Sequence, residues 1–274
     1  MKRTLRPVAA LIAALLVPAI SASAADLPRK APAYQSPPLY SWTGWYAGVY
    51  AGAAVDPAHV QTTTVYSATG YFATTSVPAI ASAGDQTFDT PGFTGGGQIG
   101  YNWQINSAVL GLEADFGYMG LKGSTTNSAV YPCCAPTAFT INQSVKTDWL
   151  FTLRPRLGWA MNNWLFYATG GLAVTHIKAD YLFTDTFASA NESASISSTR
   201  AGWALGGGVE YGFPGSPWSI KAEYLHVDFG TVSTTSTNLT TQPSNFNWPT
   251  NVFTHEVHVT DDIVRAGLNY KFAP

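Results

Sequence analysis

The chain has 274 residues, a formal net charge of −2, 14% aromatic residues and only 11% charged ones. That is less than half the charge a soluble domain uses to coat its surface, and the acidic balance excludes nucleic acid as a partner. Beyond the N-terminus no stretch reaches the roughly 18 consecutive apolar residues of a spanning helix, so a membrane role requires a closed β-barrel, the other fold that satisfies backbone groups in lipid.

Taken in chain order, Lys2, Arg3 and Arg6, an apolar run over residues 8–20 and the small residues Ala22-Ser23-Ala24 read as a cleaved signal peptide, 1–24. Its removal leaves 11 basic residues against 16 acidic ones, a mature net charge of −5. Residues 25–43, with Pro28, Pro32, Pro37 and Pro38, read as a Pro-rich periplasmic linker. From residue 44 to 274 the pattern becomes segments of about ten residues with period-2 alternation. We place eight strands, at 44–55, 93–104, 109–119, 148–160, 164–174, 199–211, 218–229 and 263–272.

The joints alternate between tight turns (105–108, 161–163, 212–217) and long segments rich in Thr, Ser and Asn (56–92, 120–147, 175–198, 230–262). Runs such as 62–75 and 231–241 read as extended surface loops, some continuing as strands above the membrane. This predicts an all-β fold: a transmembrane eight-stranded antiparallel up-and-down β-barrel with short periplasmic turns and long extracellular loops. Aromatics cluster at the strand ends, as interfacial belts do. Trp103, Trp159, Trp164, Tyr211, Trp218 and Phe272 flank the short turns or the C-terminal end, Tyr118, Trp149 and Trp203 lie toward the opposite rim, and Trp45 opens the first strand. A soluble β-sandwich or lipocalin-like barrel would bury its aromatics instead.

The other face of the strands is small or charged, with Glu113, Asp115, Arg154, Arg156, Glu210, Lys221, Glu223, Arg265 and Lys271 at inward positions. Most fall four to seven residues from the short turns, at mid-height, with Glu113 and Asp115 expected opposite Arg156 and Arg154. An eight-stranded barrel is just wide enough for its own side chains, so this network is expected to plug the lumen; the rival is a narrow passive pore for ions or small solutes. A catalytic role fares poorly: His176 and His226 are the histidines near strands, and no Ser falls at an adjacent same-face position, so no enzyme and no cofactor are expected. The spacing of His255 and His258 around Glu256 suits a metal but equally a solvated loop, as does His59, and no metal is expected. Cys133 and Cys134, adjacent in an exported loop, leave open a vicinal disulfide, free thiols or an intermolecular bridge.

Several segments also resemble a known group: Ala24-Ala25-Asp26-Leu27-Pro28, Lys30-Ala31-Pro32, Trp42-Thr43-Gly44-Trp45-Tyr46-Ala47-Gly48, Gly95-Gly96-Gly97-Gln98-Ile99-Gly100-Tyr101-Asn102, Arg154-Pro155-Arg156-Leu157-Gly158-Trp159, Tyr167-Ala168-Thr169-Gly170-Gly171-Leu172-Ala173 and Lys221-Ala222-Glu223-Tyr224-Leu225. Together they resemble the alphaproteobacterial outer-membrane immunogenic protein family, which is porin-like and similar to the OmpA transmembrane domain. The resemblance implies a surface-exposed barrel of the cell outer membrane with a role in envelope integrity, and for some members a porin or haem-binding role. The partners expected are outer-membrane lipid and lipopolysaccharide, the barrel-insertion machinery, and peptidoglycan or a host surface. Two residues follow the C-terminal aromatic Phe272, a departure from such barrels, and Pro155 on an outward position predicts a bulge.

Overall fold

The computed structural model describes residues 39–272. The signal peptide, linker residues 25–38 and Ala273-Pro274 lie outside the described residues. The strands are β1 (Gly44–Thr64), β2 (Gln86–Ile105), β3 (Ala108–Val130), β4 (Ala138–Met161), β5 (Trp164–Asp185), β6 (Asn191–Gly212), β7 (Trp218–Ser236), the two-residue β8 (Thr240–Thr241) and β9 (Phe246–Asn247), and β10 (Phe253–Lys271). One helix, α1 (Ser76–Gly84), lies between β1 and β2. The long strands are antiparallel in the order β5-β4-β3-β2-β1-β10-β7-β6, and β6 pairs back onto β5, so the ring of eight closes. Closure leaves no edge to be solvated by lipid.

At one rim the hairpins are tight. Asn106 and Asn162 take left-handed φ of 55° at two of the turns, a conformation asparagine tolerates, and Gly215 takes φ 71° in the third. At the other rim the strands run well past their sequence-based ends, so the segments read as long loops are mostly wall. Residues 131–137 and 186–190 are all that separates β3 from β4 and β5 from β6.

Two environments account for the extra length. Near the tight turns the wall is apolar outside: Leu110, Leu112, Phe116 and Tyr118 on β3 and Leu153, Leu157 and Trp159 on β4 are exposed, while Glu113, Asp115, Thr152, Arg154 and Arg156 are buried inside. On β5 this belt runs from Trp164 to Val174, which at about 3.3 Å per residue and about 40° of tilt is roughly 25 Å tall, the height of a hydrocarbon core. Beyond it the sense reverses. Lys122, Ser124, Thr126, Lys146, Lys178 and Asp180 now face out, and Val60, Met119, Leu121, Val145, Ile177, Val227, Phe229, Val257 and Val259 pack inside as in a water-soluble barrel. On β4 the change coincides with a shift of phase: Thr147 and Leu150 both point inward, and its pairing with β5 slips between them.

Both mouths are covered. At the long-loop rim Phe72, Ile80 of α1, Tyr131, Phe139, Phe183 and Phe253 form a second apolar cluster. At the tight-turn rim Tyr40 and Trp42 are buried against Val109, Ala160, Leu165 and Tyr167. The Tyr40 and Trp42 amides donate to Asn163 Oδ1 and Gln104 Oε1, each at 2.9 Å. The linker reading therefore does not extend to residues 39–43, which dock in the mouth. Nor is there a bulge at Pro155: β3 pairs with it in register, and the pairing of β4 with β5 keeps one register from Leu153 to Arg156, with Arg154 and Pro155 unpaired. The missing N–H is absorbed as a gap in one ladder, and Thr169 Oγ1 donates to the Pro155 carbonyl at 2.9 Å.

Candidate functional site

Alternation delivers the charged side chains of five walls to one level inside the lower barrel. Glu113 and Asp115 come from β3, Arg154 and Arg156 from β4, Lys221 and Glu223 from β7, Arg265 from β10 and Glu210 from β6. All are at most 3% exposed. Register places Glu113 opposite Arg154, with Gly111 opposite Arg156 and Asp115 opposite Thr152, so the expected pairing of Glu113 with Arg156 and Asp115 with Arg154 is offset by one pleat. Gly111 is required where it stands, since a Cβ there would lie 2.8 Å from Arg156 Cγ.

The contacts form one connected set. Arg154 Nη2 lies 2.9 Å from both Glu113 Oε1 and Asp115 Oδ2 and 3.4 Å from Glu223 Oε1. Arg265 grips Asp115 with both terminal nitrogens, at 3.1 and 3.0 Å, and donates through Nε to Glu223 at 2.7 Å. Lys221 Nζ is 2.9 and 3.0 Å from the two oxygens of Glu113. Arg156 Nη2 donates to Glu210 at 2.9 Å, and Glu210 also accepts from Asn269 at 2.8 Å. Four cations thus meet four carboxylates, and the group is neutral as a whole. That balance matters because each ion removed from water costs several kcal/mol, roughly, unless paired and hydrogen-bonded.

Sequence reasoning missed the phenols. Tyr46 donates to Glu113 at 2.8 Å and accepts from Arg156 at 2.9 Å, and Tyr167 donates to Glu223 at 2.9 Å. The guanidinium of Arg156 lies 3.9 Å from the Tyr167 ring centre and that of Arg265 4.2 Å from the Tyr50 ring centre, so the same aromatics stack on the cations. Their inward phase on β1 and β5 was the available signal. Lys271 is the one predicted member that does not join. It sits one pleat past Asn269 at the tight-turn end of β10, donates to the Ser41 carbonyl and lies 4.9 Å from the Tyr40 ring centre, because the docked residues 39–43 offer it nearer partners.

The girdle candidates divide between the two ends of the apolar belt. Trp45, Trp103, Trp159, Trp164, Trp218 and Phe272 are exposed at the tight-turn end and Tyr118 and Trp203 at the other, while Tyr211 and Trp149 are half-buried against Trp164 and Phe116.

The remaining candidates separate. His255 is on β10, not in a loop, and its buried ring meets Thr62 Oγ1 at 3.0 Å and Glu192 Oε1 at 3.2 Å. His258, three residues on, faces outward with Glu256, so the two histidines cannot share an ion. His59 pairs with Asp85 at 2.8 Å, and the described residues contain no group of three metal-ligating side chains. His176 does have a serine neighbour, Ser197 at 3.2 Å, which stands on β6 and not in a loop; its other nitrogen faces Thr199 at 3.2 Å, on the outer surface. His226 pairs with Asp262 at 2.8 Å. Cys133 and Cys134 are joined as a disulfide in the turn between β3 and β4.

A closed ring with an apolar exterior belt and a charged interior is the architecture of an outer-membrane barrel, and the model of the outer membrane protein beta-barrel domain family matches residues 12–272. The chain belongs to that family. Among curated relatives of this outer-membrane barrel, the 31 kDa outer-membrane immunogenic protein of Brucella melitensis is 34% identical over 93% of this chain and 95% of its own length. The 25 kDa outer-membrane immunogenic protein of Brucella abortus is 26% identical over 98% and 100%. Among solved structures, the attachment invasion locus protein Ail of Yersinia pestis aligns with a TM-score of 0.32 at 12% identity, covering 83% of this chain and all of Ail.

Proposed function

We propose that this outer-membrane barrel is a closed, structural component of the envelope that carries a folded surface module, rather than an open pore or an enzyme. The observation that supports this best is the contact of Arg154 with carboxylates from β3 and β7 at 2.9–3.4 Å, which fills the lumen at mid-height with neutralised, mutually bonded side chains. The apolar cluster at one mouth and Tyr40 with Trp42 at the other add two further closures. Against catalysis stands the geometry of His176, whose two ring nitrogens both meet hydroxyls and neither of which is hydrogen-bonded to a carboxylate among the described residues. The relatives' names describe immunogenic proteins, which accords with an exposed module above the lipid.

Planar-bilayer recording of the purified, folded protein tests the reading. Wild type is expected to show no steady single-channel conductance. Steady openings that change ion preference on Glu113→Gln or Arg154→Gln would replace the closed barrel with a narrow pore.

A further inference from the structure

Setting aside the lumen network and Lys271, the basic residues of the described chain are Lys122, Lys146, Lys178 and Arg200, on the consecutive strands β3, β4, β5 and β6. Three of them form a row. Lys122 is the cross-strand partner of Lys146, and Lys146 is the partner of Lys178. All three are exposed on the outer face. Like charges placed directly opposite each other across a ladder destabilise it, and here two such pairs are contiguous.

The internal compensation is incomplete. Asp148 lies 2.7 Å from Lys146 and 3.8 Å from Lys178, while Lys122 has no ion-pair partner among the described residues. Asp180 is also exposed on this face, one pleat farther from the membrane than Lys178. The row stands immediately above the upper aromatics Tyr118 and Trp149, and below it the same strands present Phe116, Phe151, Leu153 and Leu172 to lipid. The rest of the circumference differs at this height. His226 with Asp262 at 2.8 Å, His258 with Asp228 at 3.9 Å and His59 with Asp85 at 2.8 Å put acid–histidine pairs there.

We propose that Lys122, Lys146 and Lys178 are a seat for the phosphate groups of a phosphorylated membrane lipid whose acyl chains lie along the apolar wall of β3, β4 and β5. The charge complementarity is that of ammonium groups for a multiply charged headgroup at the membrane surface, where each lysine strengthens attraction several-fold. Polar cover is at hand beside Lys178, where Ser197 and Thr199 flank His176 at 3.2 Å. The proposal rests on the barrel's place in the outer membrane and is independent of whether the lumen conducts.

The test is native mass spectrometry of the full chain folded in a non-ionic detergent, titrated with bis-phosphorylated lipid A. Wild type is expected to retain one lipid A, and Lys122→Gln/Lys146→Gln/Lys178→Gln to lose affinity by about tenfold or more. The triple Lys→Arg variant should keep most of it, which separates charge from a folding defect, and heat-dependent gel mobility checks that each variant is folded. Lipid A stripped of both phosphates should bind as weakly to wild type as intact lipid A does to the Gln variant. Equal binding by the Gln variant or by the stripped lipid overturns the proposal. So does displacement of lipid A by millimolar inorganic phosphate, since the site would then be one for free anions.

Discussion

Lys221 and Glu113 stand on β7 and β3, diametrically opposite in the ring, and the Lys221 ammonium lies 2.9 and 3.0 Å from the two carboxylate oxygens. Opposite walls of the barrel therefore touch through one ion pair.

Lys221→Met is expected to leave Glu113 inadequately compensated and to destabilise the fold by roughly 3–5 kcal/mol, the usual consequence of removing one partner of a buried pair. Lys221→Met combined with Glu113→Gln should recover part of the loss. Urea midpoints of the folded band on unboiled gels measure both, and strict additivity of the two single effects would mean the pair is not coupled.

Trp42→Ala should cost about 3–5 kcal/mol, as for other buried aromatic truncations, because Trp42 is 2% exposed in the mouth. It should leave the bilayer silent, since the mid-height network remains in place. Conductance appearing in this variant alone would move the closure from the network to residues 39–43.

Beyond the apolar belt, Asp56 on β1 and Asp261 on β10 are 1% and 0% exposed, and none of their four carboxylate oxygens has a hydrogen-bond partner. The β1–β10 ladder breaks here, running to Val55↔Asp262 and resuming at His59↔His258, with Pro57 in the gap. Burial pushes the Asp56 carboxyl up to about 7, and burial together with Asp56 raises Asp261 well above the usual range. A carboxyl whose folded pKa exceeds its unfolded one is bound to its proton more tightly when folded. Its contribution to stability is thus greatest below about pH 4 and is lost as pH rises to about 7. Asp56→Asn should flatten that decline and raise stability at pH 8 by on the order of 1–3 kcal/mol. Parallel stability–pH curves for the two proteins would refute the assignment.

The Cys133–Cys134 disulfide gives a chemical prediction. Without reductant the loop peptide should resist alkylation and weigh two hydrogens less than the reduced form. Alkylation of both thiols in untreated protein would contradict it.

The lower barrel was legible because Leu110, Leu112, Phe116 and Tyr118 alternate with Glu113 and Asp115 while the tryptophans gather at the strand ends, a combination that a lipid-facing wall requires. The network followed from the same phase, apart from Tyr46, Tyr50 and Tyr167, whose rings serve equally well at an interface. The upper wall was illegible for a physical reason. Above the belt the inside becomes apolar and the outside Ser- and Thr-rich, so contrast falls and changes sign, and on β4 the phase itself slips between Thr147 and Leu150. Ser197 beside His176 was lost with that wall. Trp42 was overlooked because its proline-rich neighbours argued for solvent.

The wall continues beyond the lipid for about another ten residues on β4, roughly 25 Å of height at the same rise and tilt. What faces the exterior is thus a palisade pinned by interstrand hydrogen bonds, with few free tethers. An antibody or receptor approaching it would read side chains from adjacent staves, such as Thr126 beside Asn142, that are distant in the chain but bonded at 2.7 Å. Short synthetic fragments of this protein should therefore be poor mimics of its outward face.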